Sequence, residues 1–280
     1  MEIGILEYHY HWEYVETLKK ICSDHDITVF NNIKDAKKKS KNLDLLFVNT
    51  IQPVPWDISK WITFKPKCKS ILTIHEANTD FRFLKVLFKK FDALSVPFLP
   101  MKDYILKEKN YKGKLFTLPY AIHEKVYPNK NCLRVVPGKI EEFRRDYDLF
   151  FRTLTKSQKW CLLGEPIGTY GHKVMLQCID HNDRGFDIKF YSKHVPTEEY
   201  NDILKNCNSI FAPLKNPTVG TNKLCKEIYG KTKICGAYFE AVKYGKLFIC
   251  NQPIELSYKD YLFKDWKKYF NEVVLEELNW

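Results

Sequence analysis

The sequence lacks three patterns that would each assign it to a class of protein. Its nine cysteines include no Cys-x-x-Cys pair, which argues against a zinc ribbon and a thioredoxin-like redox centre. No uncharged apolar run is long enough to span a bilayer. The N-terminus has neither the basic start nor the long apolar stretch of a signal peptide. We therefore expect a reducing compartment and a cytoplasmic protein, or one held on the cytosolic face of a membrane.

Acidic residues are in the minority. The chain has 45 Lys and Arg against 34 Asp and Glu, a formal net charge of +11. This excess predicts an anionic partner, which is a phosphate-bearing ligand, an acidic membrane or a nucleic acid, and net charge does not choose among them. With 280 residues, 45% of them hydrophobic, the chain is long enough for two domains with separate cores.

Short apolar runs alternate with helix-length amphipathic segments throughout the chain. In the first half the strand-like runs are residues 3–7, 27–30, 43–48, 70–75, 93–96 and 114–118. In the second half they are residues 133–136, 160–163, 187–191, 209–213 and 247–250. This alternation predicts parallel sheets with helices on both faces.

The alternation lapses around residues 120–132, where Pro128 and two asparagines indicate a linker. We therefore predict an α/β protein with two Rossmann-like βα domains, residues 1–125 and 126–256, that face a central cleft. The long helix candidate 258–278 lies in a final segment, residues 257–280, which we expect to pack back towards the first domain. Ligands of such proteins bind where the carboxyl ends of the strands face the cleft.

A helix is predicted to begin near Cys235 and Gly236, within GKTKICGAYFEAVKYGK (residues 230–246). Its first N–H groups and the positive end of its dipole would face a ligand, and Gly236 would let a phosphate approach the backbone. Lys231 and Lys233 would add positive charge at the same end. Because a true P-loop needs a glycine where Cys225 stands, that motif is excluded.

Glu240 follows Gly236 by four residues, on the same face of the predicted helix. Helical side chains lean towards the N-terminus, so its carboxylate would point back at the bound anion and accept hydrogen bonds from ribose hydroxyls. The alternative is a surface glutamate paired with Lys243 or Tyr244.

Two adjacent arginines, Arg144 and Arg145, lie between a predicted strand that ends at Gly138 and a helix that starts near Asp146. Guanidinium groups at the mouth of a strand could clamp a diphosphate with forked hydrogen bonds. The alternative is that both arginines pair on the surface with the glutamates at positions 141 and 142.

Together these segments resemble the family 4 glycosyltransferases of the GT-B fold. The resemblance rests on Gly138 with the arginine pair, on the strand–helix–strand run 195–214 and on the element EAVKYGK at residues 240–246. In the first half, LTIHEAN (residues 72–78) is similar to the family's strand that ends in His-Asp or His-Glu. The match runs in order through the C-terminal half of the chain.

The resemblance implies metal-independent transfer of a hexosyl group from a nucleotide-diphosphate sugar, with UDP or GDP as carrier, with retention of configuration and with no further cofactor. Residues 1–125 would be the acceptor-side domain and residues 126–256 the domain that binds the nucleotide sugar. It implies His75 and Glu240 as catalytic residues. The residues implied for the donor nucleotide and diphosphate are Gly138, Arg144, Arg145, Lys233, Cys235, Gly236 and Glu240.

The sequence departs from the family pattern in two places. Thr232 stands where the family commonly has a first glutamate, eight positions before the second. The N-terminal loop, often rich in glycine in the family, here consists of Tyr8, His9, Tyr10 and His11. We expect these four residues to line the acceptor cleft. The donor sugar and the stereochemical outcome stay open.

Two basic segments, residues 34–41 and 56–69, combine lysines with the aromatic side chains of Trp56 and Trp61. They predict contact with an anionic membrane surface, which would suit a lipid-linked or other glycan acceptor. The alternative is a solvated basic face. Nucleic acid is not expected, because no RNP-like motif is present. Two rival functions are another sugar-nucleotide enzyme of this fold, such as an epimerase, and a non-enzymatic basic binding module.

Overall fold

The computed structural model describes residues 1–7, 11–52, 54–123, 127, 132–220, 223–252 and 263–278. The chain divides into two compact units. Unit 1 comprises Met1–Ile122, Val219–Ile234 and Tyr261–Trp280, and unit 2 comprises His123–Thr218 and Cys235–Asp260.

Unit 1 is built on a six-stranded sheet in which every paired strand is parallel to its neighbour. Its strands are β1 (Glu2–Leu6), β2 (Asp26–Phe30), β3 (Leu45–Val48), β4 (Lys69–Thr73), β5 (Ala93–Val96) and β6 (Lys114–Thr117). They lie in the order β2-β1-β3-β4-β5-β6. The helices between them are α1 (Trp12–Ile21), α2 (Ile33–Lys39), α3 (Pro55–Ile62), α4 (Ala77–Phe83), α5 (Lys85–Phe88) and α6 (Leu99–Glu108), with a 3-10 turn at Ser40–Asn42.

Unit 2 is built on a second parallel sheet, of five strands. Its elements are β7 (Leu133–Pro137), α7 (Tyr147–Thr153), β8 (Lys159–Leu163), α8 (Gly168–Asp183), β9 (Asp187–Phe190), α9 (Thr197–Asn206), β10 (Ser209–Ala212), α10 (Gly236–Tyr244) and β13 (Leu247–Cys250). The strand order is β13-β10-β7-β8-β9. Between β10 and α10 the chain forms a two-stranded ribbon of β11 (Thr218–Val219) and β12 (Lys226–Glu227).

The C-terminal helical segment packs in unit 1. It consists of α11 (Phe263–Tyr269), a π-helical turn at Phe270–Val274 and α12 (Leu275–Glu277). Phe270 and Val274 join the same buried cluster as Leu18 of α1 and Phe47 of β3. Burial of these side chains on one face of the sheet removes apolar area from water, which holds the segment in place.

The predicted α/β fold with two Rossmann-like parallel sheets is confirmed, and every predicted strand end lies within two residues of the observed one. One assignment differs more. Val219–Ile234 lies in unit 1, although the sequence places it inside the second domain. All nine cysteines are free thiols. Of the helices in the described ranges, none has the length and apolar composition to cross a membrane.

Candidate functional site

The first feature of the site is the N-terminus of α10, in unit 2. Cys235 is the N-cap residue, and its side chain makes no capping hydrogen bond. A Cβ atom placed on Gly236 would meet no other atom within 4 Å, so the backbone at the start of α10 borders open space. The helix ends at Gly245, whose φ of 61° lies in the left-handed region that glycine favours. The amino end of α10 is therefore accessible to an anion.

Arg145 reaches this helix end from the loop after β7. The loop is fixed by backbone pairing of Arg145 with Leu214 and by the amide of Asp146, which donates to the carbonyl oxygen of Pro213 at 2.9 Å. The Arg145 side chain lies beside the Cys235 thiol. Burial raises the pKa of that thiol, and the neighbouring guanidinium opposes the rise. One arginine and the start of α10 therefore meet within unit 2.

The Arg145 side chain is a buried cation that lacks an anionic partner. Its residue is 8% exposed, and Nη2 donates a hydrogen bond to the carbonyl oxygen of Pro137 at 3.2 Å. Within the part of the chain that the structure describes, Nη1 has no hydrogen-bond partner, and no carboxylate forms an ion pair with this arginine. A buried charge without a counter-ion is costly, so this position is suited to an anion supplied from outside the chain.

Gly138 supports the loop through its backbone conformation. Its φ of 95° is one that L side chains rarely adopt, while a Cβ there would lie 3.7 Å from Nη2 of Arg145, at ordinary contact distance. Glycine is therefore required by the turn after β7.

Arg144 does not join Arg145. Its side chain is half exposed and forms an ion pair with Glu141 three residues earlier, while its carbonyl oxygen accepts from the amide of Lys215. For this arginine the surface pairing that the sequence left as an alternative is the one observed. Arg144 lies in a turn, whereas the backbone of Arg145 pairs with Leu214 and brings its side chain inside unit 2.

Glu240 lies one turn into α10 and is partly buried. The hydroxyl of Tyr200, on α9, donates to its Oε1 at 3.4 Å. Burial and the adjacent Glu240 charge both raise the pKa of Tyr200. Glu240 thus presents a carboxylate within unit 2 on the helix that Arg145 approaches.

His75 follows β4 in unit 1 and is a neutral imidazole. Burial and the adjacent His11 lower its pKa well below the ordinary value. Its Nε2 lies 2.5 Å from the carbonyl oxygen of Asn49, and a carbonyl only accepts, so Nε2 carries the hydrogen and Nδ1 the lone pair. Nδ1 is buried and has no hydrogen-bond partner among the described residues.

His11 stacks on His75, with ring centroids 4.3 Å apart and ring planes at 11°. Burial lowers the pKa of His11, so both rings are neutral. Tyr120 packs against the pair, 5.5 Å from His11 and 5.3 Å from His75. Tyr8, His9 and Tyr10, the other residues predicted for the acceptor cleft, lie outside the described residues.

Glu7 holds the loop after β3 whose Asn49 carbonyl bonds to His75. Its carboxylate accepts a hydrogen bond from the Thr50 hydroxyl at 3.0 Å and another from the side-chain amide of Asn49. These bonds fix the turn after β3 that offers the Asn49 carbonyl to His75. Glu7 was not predicted from the sequence, although it directly follows β1 and precedes the aromatic residues of the N-terminal loop.

Lys233, predicted for the donor phosphates, is instead paired in unit 1. Its amine forms an ion pair with Glu76, the N-cap residue of α4. Asp80 accepts hydrogen bonds from the amides of His75 at 2.8 Å and Glu76 at 3.1 Å. Burial, reinforced by the Glu76 charge, raises the pKa of Asp80 to about 8.

A second acid explains why residues 219–234 belong to unit 1. Glu227 is fully buried and accepts from both the amide and the hydroxyl of Thr79, each at 2.8 Å. It therefore caps α4 from strand β12 of the ribbon. Gly220 allows the approach, because a Cβ there would lie 2.1 Å from the Thr79 hydroxyl. The contact joins residues 148 positions apart, and no local pattern marks it.

The sequence contains two D-x-D patterns, residues 24–26 and 146–148, and the first aspartate of each has an ordinary structural role. Asp24 pairs with Lys267, and Asp146 caps α7 by accepting from the amide of Leu149 at 2.9 Å. In the ranges that the structure describes, no three His, Cys, Asp or Glu side chains are grouped as metal ligands would be.

Comparison with solved structures places this architecture among known folds. The chain is similar to AviGT4, a glycosyltransferase involved in avilamycin A biosynthesis, with a TM-score of 0.62, 7% identity and coverage of 99% of this chain and 98% of that one. It is similar to the lipopolysaccharide outer core galactosyltransferase WaaB in its apo form, with a TM-score of 0.53, 12% identity and coverage of 100% and 92%. It is also similar to Anabaena Alr3699/HepE in complex with UDP and glucose, with a TM-score of 0.53, 11% identity and coverage of 98% and 91%.

These similarities show the fold. The chain has the GT-B fold of two Rossmann-like domains, and the resemblance to glycosyltransferases of that fold is confirmed at this level. No family model matches the sequence, and no curated protein matches it.

Proposed function

We propose that this protein is a glycosyltransferase that takes a sugar from a nucleotide-diphosphate donor. The observation that carries the proposal is the meeting of Arg145 with the amino end of α10. A buried guanidinium with an unpartnered nitrogen lies beside Cys235, where the helix begins, and Gly236 borders open space. A diphosphate would supply the anion that both groups lack.

Arg145 and α10 would act on the leaving group. As the sugar–phosphate bond breaks, negative charge grows on the diphosphate, and the guanidinium and the free N–H groups of the helix would stabilise it without a metal ion. Preorganised donors of this kind contribute about 10²–10³-fold each to the rate. Solved proteins of this fold include one in complex with UDP and glucose, which supports the donor class.

Glu240 would hold the nucleoside. Its carboxylate already accepts from one neutral hydroxyl, that of Tyr200, and ribose hydroxyls are donors of the same kind. Because Glu240 lies one turn along α10, helical geometry aims its side chain back towards the helix start, where the phosphates would bind.

His75 would contact the transferred sugar. Since Nε2–H is committed to the Asn49 carbonyl, the remaining acceptor is the buried Nδ1, which would accept from a sugar hydroxyl once the sugar displaces the side chains packed around it. His11, stacked on it, would border the acceptor. We propose a glycan or lipid-linked acceptor and retention of the anomeric configuration, which proton NMR of the product tests directly.

A nucleotide panel tests the donor assignment. Thermal unfolding is measured with UDP, GDP and other nucleoside diphosphates, with pyrophosphate and with a short oligonucleotide. Stabilisation by one nucleoside diphosphate, followed by hydrolysis or transfer of the matching sugar, supports the proposal. The absence of stabilisation by any nucleotide, together with tight oligonucleotide binding, would favour a non-enzymatic module. Epimerisation of the donor sugar in the absence of an acceptor would favour a sugar-nucleotide epimerase.

A further inference from the structure

A second basic region lies in unit 1, at the edge of the sheet where the strands begin. Because all six strands are parallel, their amino ends share this edge, opposite the carboxyl ends that His75 follows. Four neighbouring strands, β3, β4, β5 and β6, are each preceded by exposed or partly exposed lysines. These are Lys37, Lys38, Lys39 and Lys41 before β3, Lys65 and Lys67 before β4, Lys89 and Lys90 before β5, and Lys112 before β6. We call this set the lysine edge.

A cavity of about 410 Å³ occupies the middle of the lysine edge. It lies between the segments that lead into β4 and β5, and it is lined by Lys65, Lys67, Lys69, Lys89 and Lys90 together with Asp92. The Asp92 carboxylate accepts hydrogen bonds from the amide and the hydroxyl of Ser70, at 2.9 Å and 3.0 Å. The single acid of the cavity is thus engaged by the chain itself.

The positive charge of the cavity is not balanced by the protein. In the described part of the chain, none of the five lysines has a carboxylate within ion-pair distance, although Lys90 bonds to the carbonyl oxygen of Ile62. Cys68 also lines the cavity, and burial raises the pKa of its thiol to about 11, so it adds no thiolate at neutral pH. Five lysines against one aspartate make a site for a phosphate group.

The length of the lysine edge indicates more than one phosphate. Adjacent strands are about 4.8 Å apart, so the four strands from β3 to β6 span roughly 14 Å. Lysines are spread along this whole distance. A flat surface with repeated phosphate groups matches the arrangement better than one small anion does.

Aliphatic side chains are interleaved with these lysines. Ile62, the last residue of α3, is 56% exposed, Val86 on α5 is 63% exposed and Leu106 near the end of α6 is 38% exposed. Each helix runs back towards the amino edge of the sheet, so these side chains lie near the lysine edge. Exposed aliphatics among lysines suit the boundary between lipid head groups and acyl chains.

Aromatic side chains, which single-stranded nucleic acids need for stacking, are not exposed beside the cavity. Phe91 is 8% exposed. Trp56 is 68% exposed, but it is the second residue of α3 and lies at the opposite end of that helix from Ile62, about 9 Å along the axis. Trp56 therefore lies at the other end of α3 from the cavity and does not line it.

We propose that the lysine edge of unit 1 binds the phosphates of an anionic lipid bilayer, with one head group in the cavity between β4 and β5. The proposal does not depend on the reaction at Arg145, since the lysines lie at the opposite end of the unit 1 strands from His75.

Vesicle co-sedimentation tests it. The full chain is mixed with vesicles of phosphatidylcholine alone or with added phosphatidylglycerol, at low and high salt. We expect binding only to the anionic vesicles, weakened by salt. Each lysine near an anionic surface changes partitioning about fivefold, so the variant K65E/K67E/K89E should bind roughly 100-fold more weakly. I62S/V86S should lose binding by a smaller factor.

A matched control separates the site from net charge. K156E/K173E/K193E removes three exposed lysines of unit 2 with the same change in charge, and it should bind anionic vesicles much more strongly than the edge variant. Equal losses in the two variants would overturn the site, as would wild-type binding by the edge variant or no binding to anionic vesicles at all.

Two further binding measurements identify the source of the phosphate. Calorimetric binding of free glycerol phosphate or pyrophosphate that depends on the same lysines, without vesicle binding, would assign the cavity to a soluble phosphate and overturn the bilayer. Lysine-dependent binding of an oligonucleotide without vesicle binding would overturn it in favour of nucleic acid. Circular dichroism and the nucleotide-induced thermal shift, unchanged in the edge variant, show that the fold and the donor site are intact.

Discussion

Arg145 donates a hydrogen bond to the carbonyl oxygen of Pro137 at 3.2 Å, and this contact lays its side chain across the end of β7. The guanidinium is thereby held beside Cys235, at the start of α10. In the proposed function a diphosphate would bind both positive groups, and this gives the first prediction.

Replacement of Arg145 by methionine should separate binding from stability. Methionine keeps much of the buried volume and removes a charge that has no counter-ion among the described residues, so the free energy of unfolding should be unchanged or higher by about 1 kcal/mol. Stabilisation by nucleoside diphosphates should disappear, and sugar transfer should fall by about 10²–10³-fold. Thermal unfolding with and without nucleotide, and a transfer assay, measure both.

Arg144 provides the control for that variant. Its ion pair with Glu141 is half exposed, and such pairs contribute about 0–1 kcal/mol. Arg144→Met should therefore retain the nucleotide-induced shift and near-normal transfer. If the two methionine variants lose nucleotide binding equally, the donor site does not depend on Arg145 in particular.

Gly236→Ala gives a second prediction, in which stability and binding move in opposite directions. A Cβ at this position meets nothing within 4 Å, and alanine is the better residue in a helix by about 0.5–1 kcal/mol. The variant should be slightly more stable, yet its methyl group would occupy the approach to the first N–H groups of α10. We expect weaker binding of pyrophosphate and of nucleoside diphosphates by calorimetry.

Gly245→Ala is the matched glycine variant at the other end of α10. Its φ of 61° makes a side chain unfavourable by roughly 1 kcal/mol. It should therefore lower stability and leave the intrinsic nucleotide affinity of the folded protein unchanged. Unimpaired nucleotide binding by Gly236→Ala would show that phosphates do not approach the start of α10.

The sequence was sufficient for features that depend on neighbouring residues. The start of α10 at Gly236 and its end at Gly245 follow from the spacing of glycines around an apolar helix face, and the strands follow from apolar runs. Which of two adjacent arginines is buried could not be predicted, because the answer depends on the pairing of Arg145 with Leu214, a partner distant in the chain.

The ion pair of Lys233 could not be predicted for a similar reason. Its charge and its position two residues before Cys235 predict a role at the helix start, but its partner Glu76 is 157 positions away. Glu227 and Thr79 are separated by 148 positions, and this contact fixes the whole segment 219–234 in unit 1. Buried ion pairs and caps of this kind are selected by tertiary packing, which local patterns do not encode.

Glu240→Gln gives the third prediction, a loss of affinity for ligands that contain a ribose. Glutamine can still accept from Tyr200, but it lacks the negative charge that strengthens hydrogen bonds from hydroxyls by roughly a factor of two. Affinity for a nucleoside diphosphate should fall about tenfold, as expected for the loss of about 1.4 kcal/mol, while affinity for pyrophosphate should hardly change. Calorimetry with the two ligands measures this difference.

Glu199→Gln is the control for Glu240. Glu199 also accepts from a tyrosine hydroxyl, that of Tyr191, but its side chain lies 43% exposed in a surface pair with Lys189. Both affinities should stay at the wild-type value in this variant. A loss at Glu240 that is equal for pyrophosphate and nucleotide would contradict a role in holding the ribose.

The fourth prediction concerns Asp80 and the pH dependence of stability. Burial and the Glu76 charge raise its pKa from 3.8 to about 8 in the folded chain. Between these two values the unfolded chain has released a proton that the folded chain still binds, so the free energy of unfolding should fall as pH rises through this window. The buried Glu227, whose pKa is also raised, contributes with the same sign. His75, whose pKa is lowered, acts in the opposite direction below its ordinary value.

The Asp80→Asn variant isolates the contribution of this carboxyl group. The amide oxygen can accept from the same two backbone N–H groups, those of His75 and Glu76, so the cap of α4 is kept and only the titration is lost. Urea unfolding is measured from about pH 4 to pH 8. The difference in free energy of unfolding, variant minus wild type, should rise with pH. Asp103→Asn changes an exposed position on α6, and its free energy of unfolding should depend on pH as that of wild type does. A constant offset for Asp80→Asn would mean that the buried carboxyl does not titrate there, because its bonds to the two amides keep it ionised.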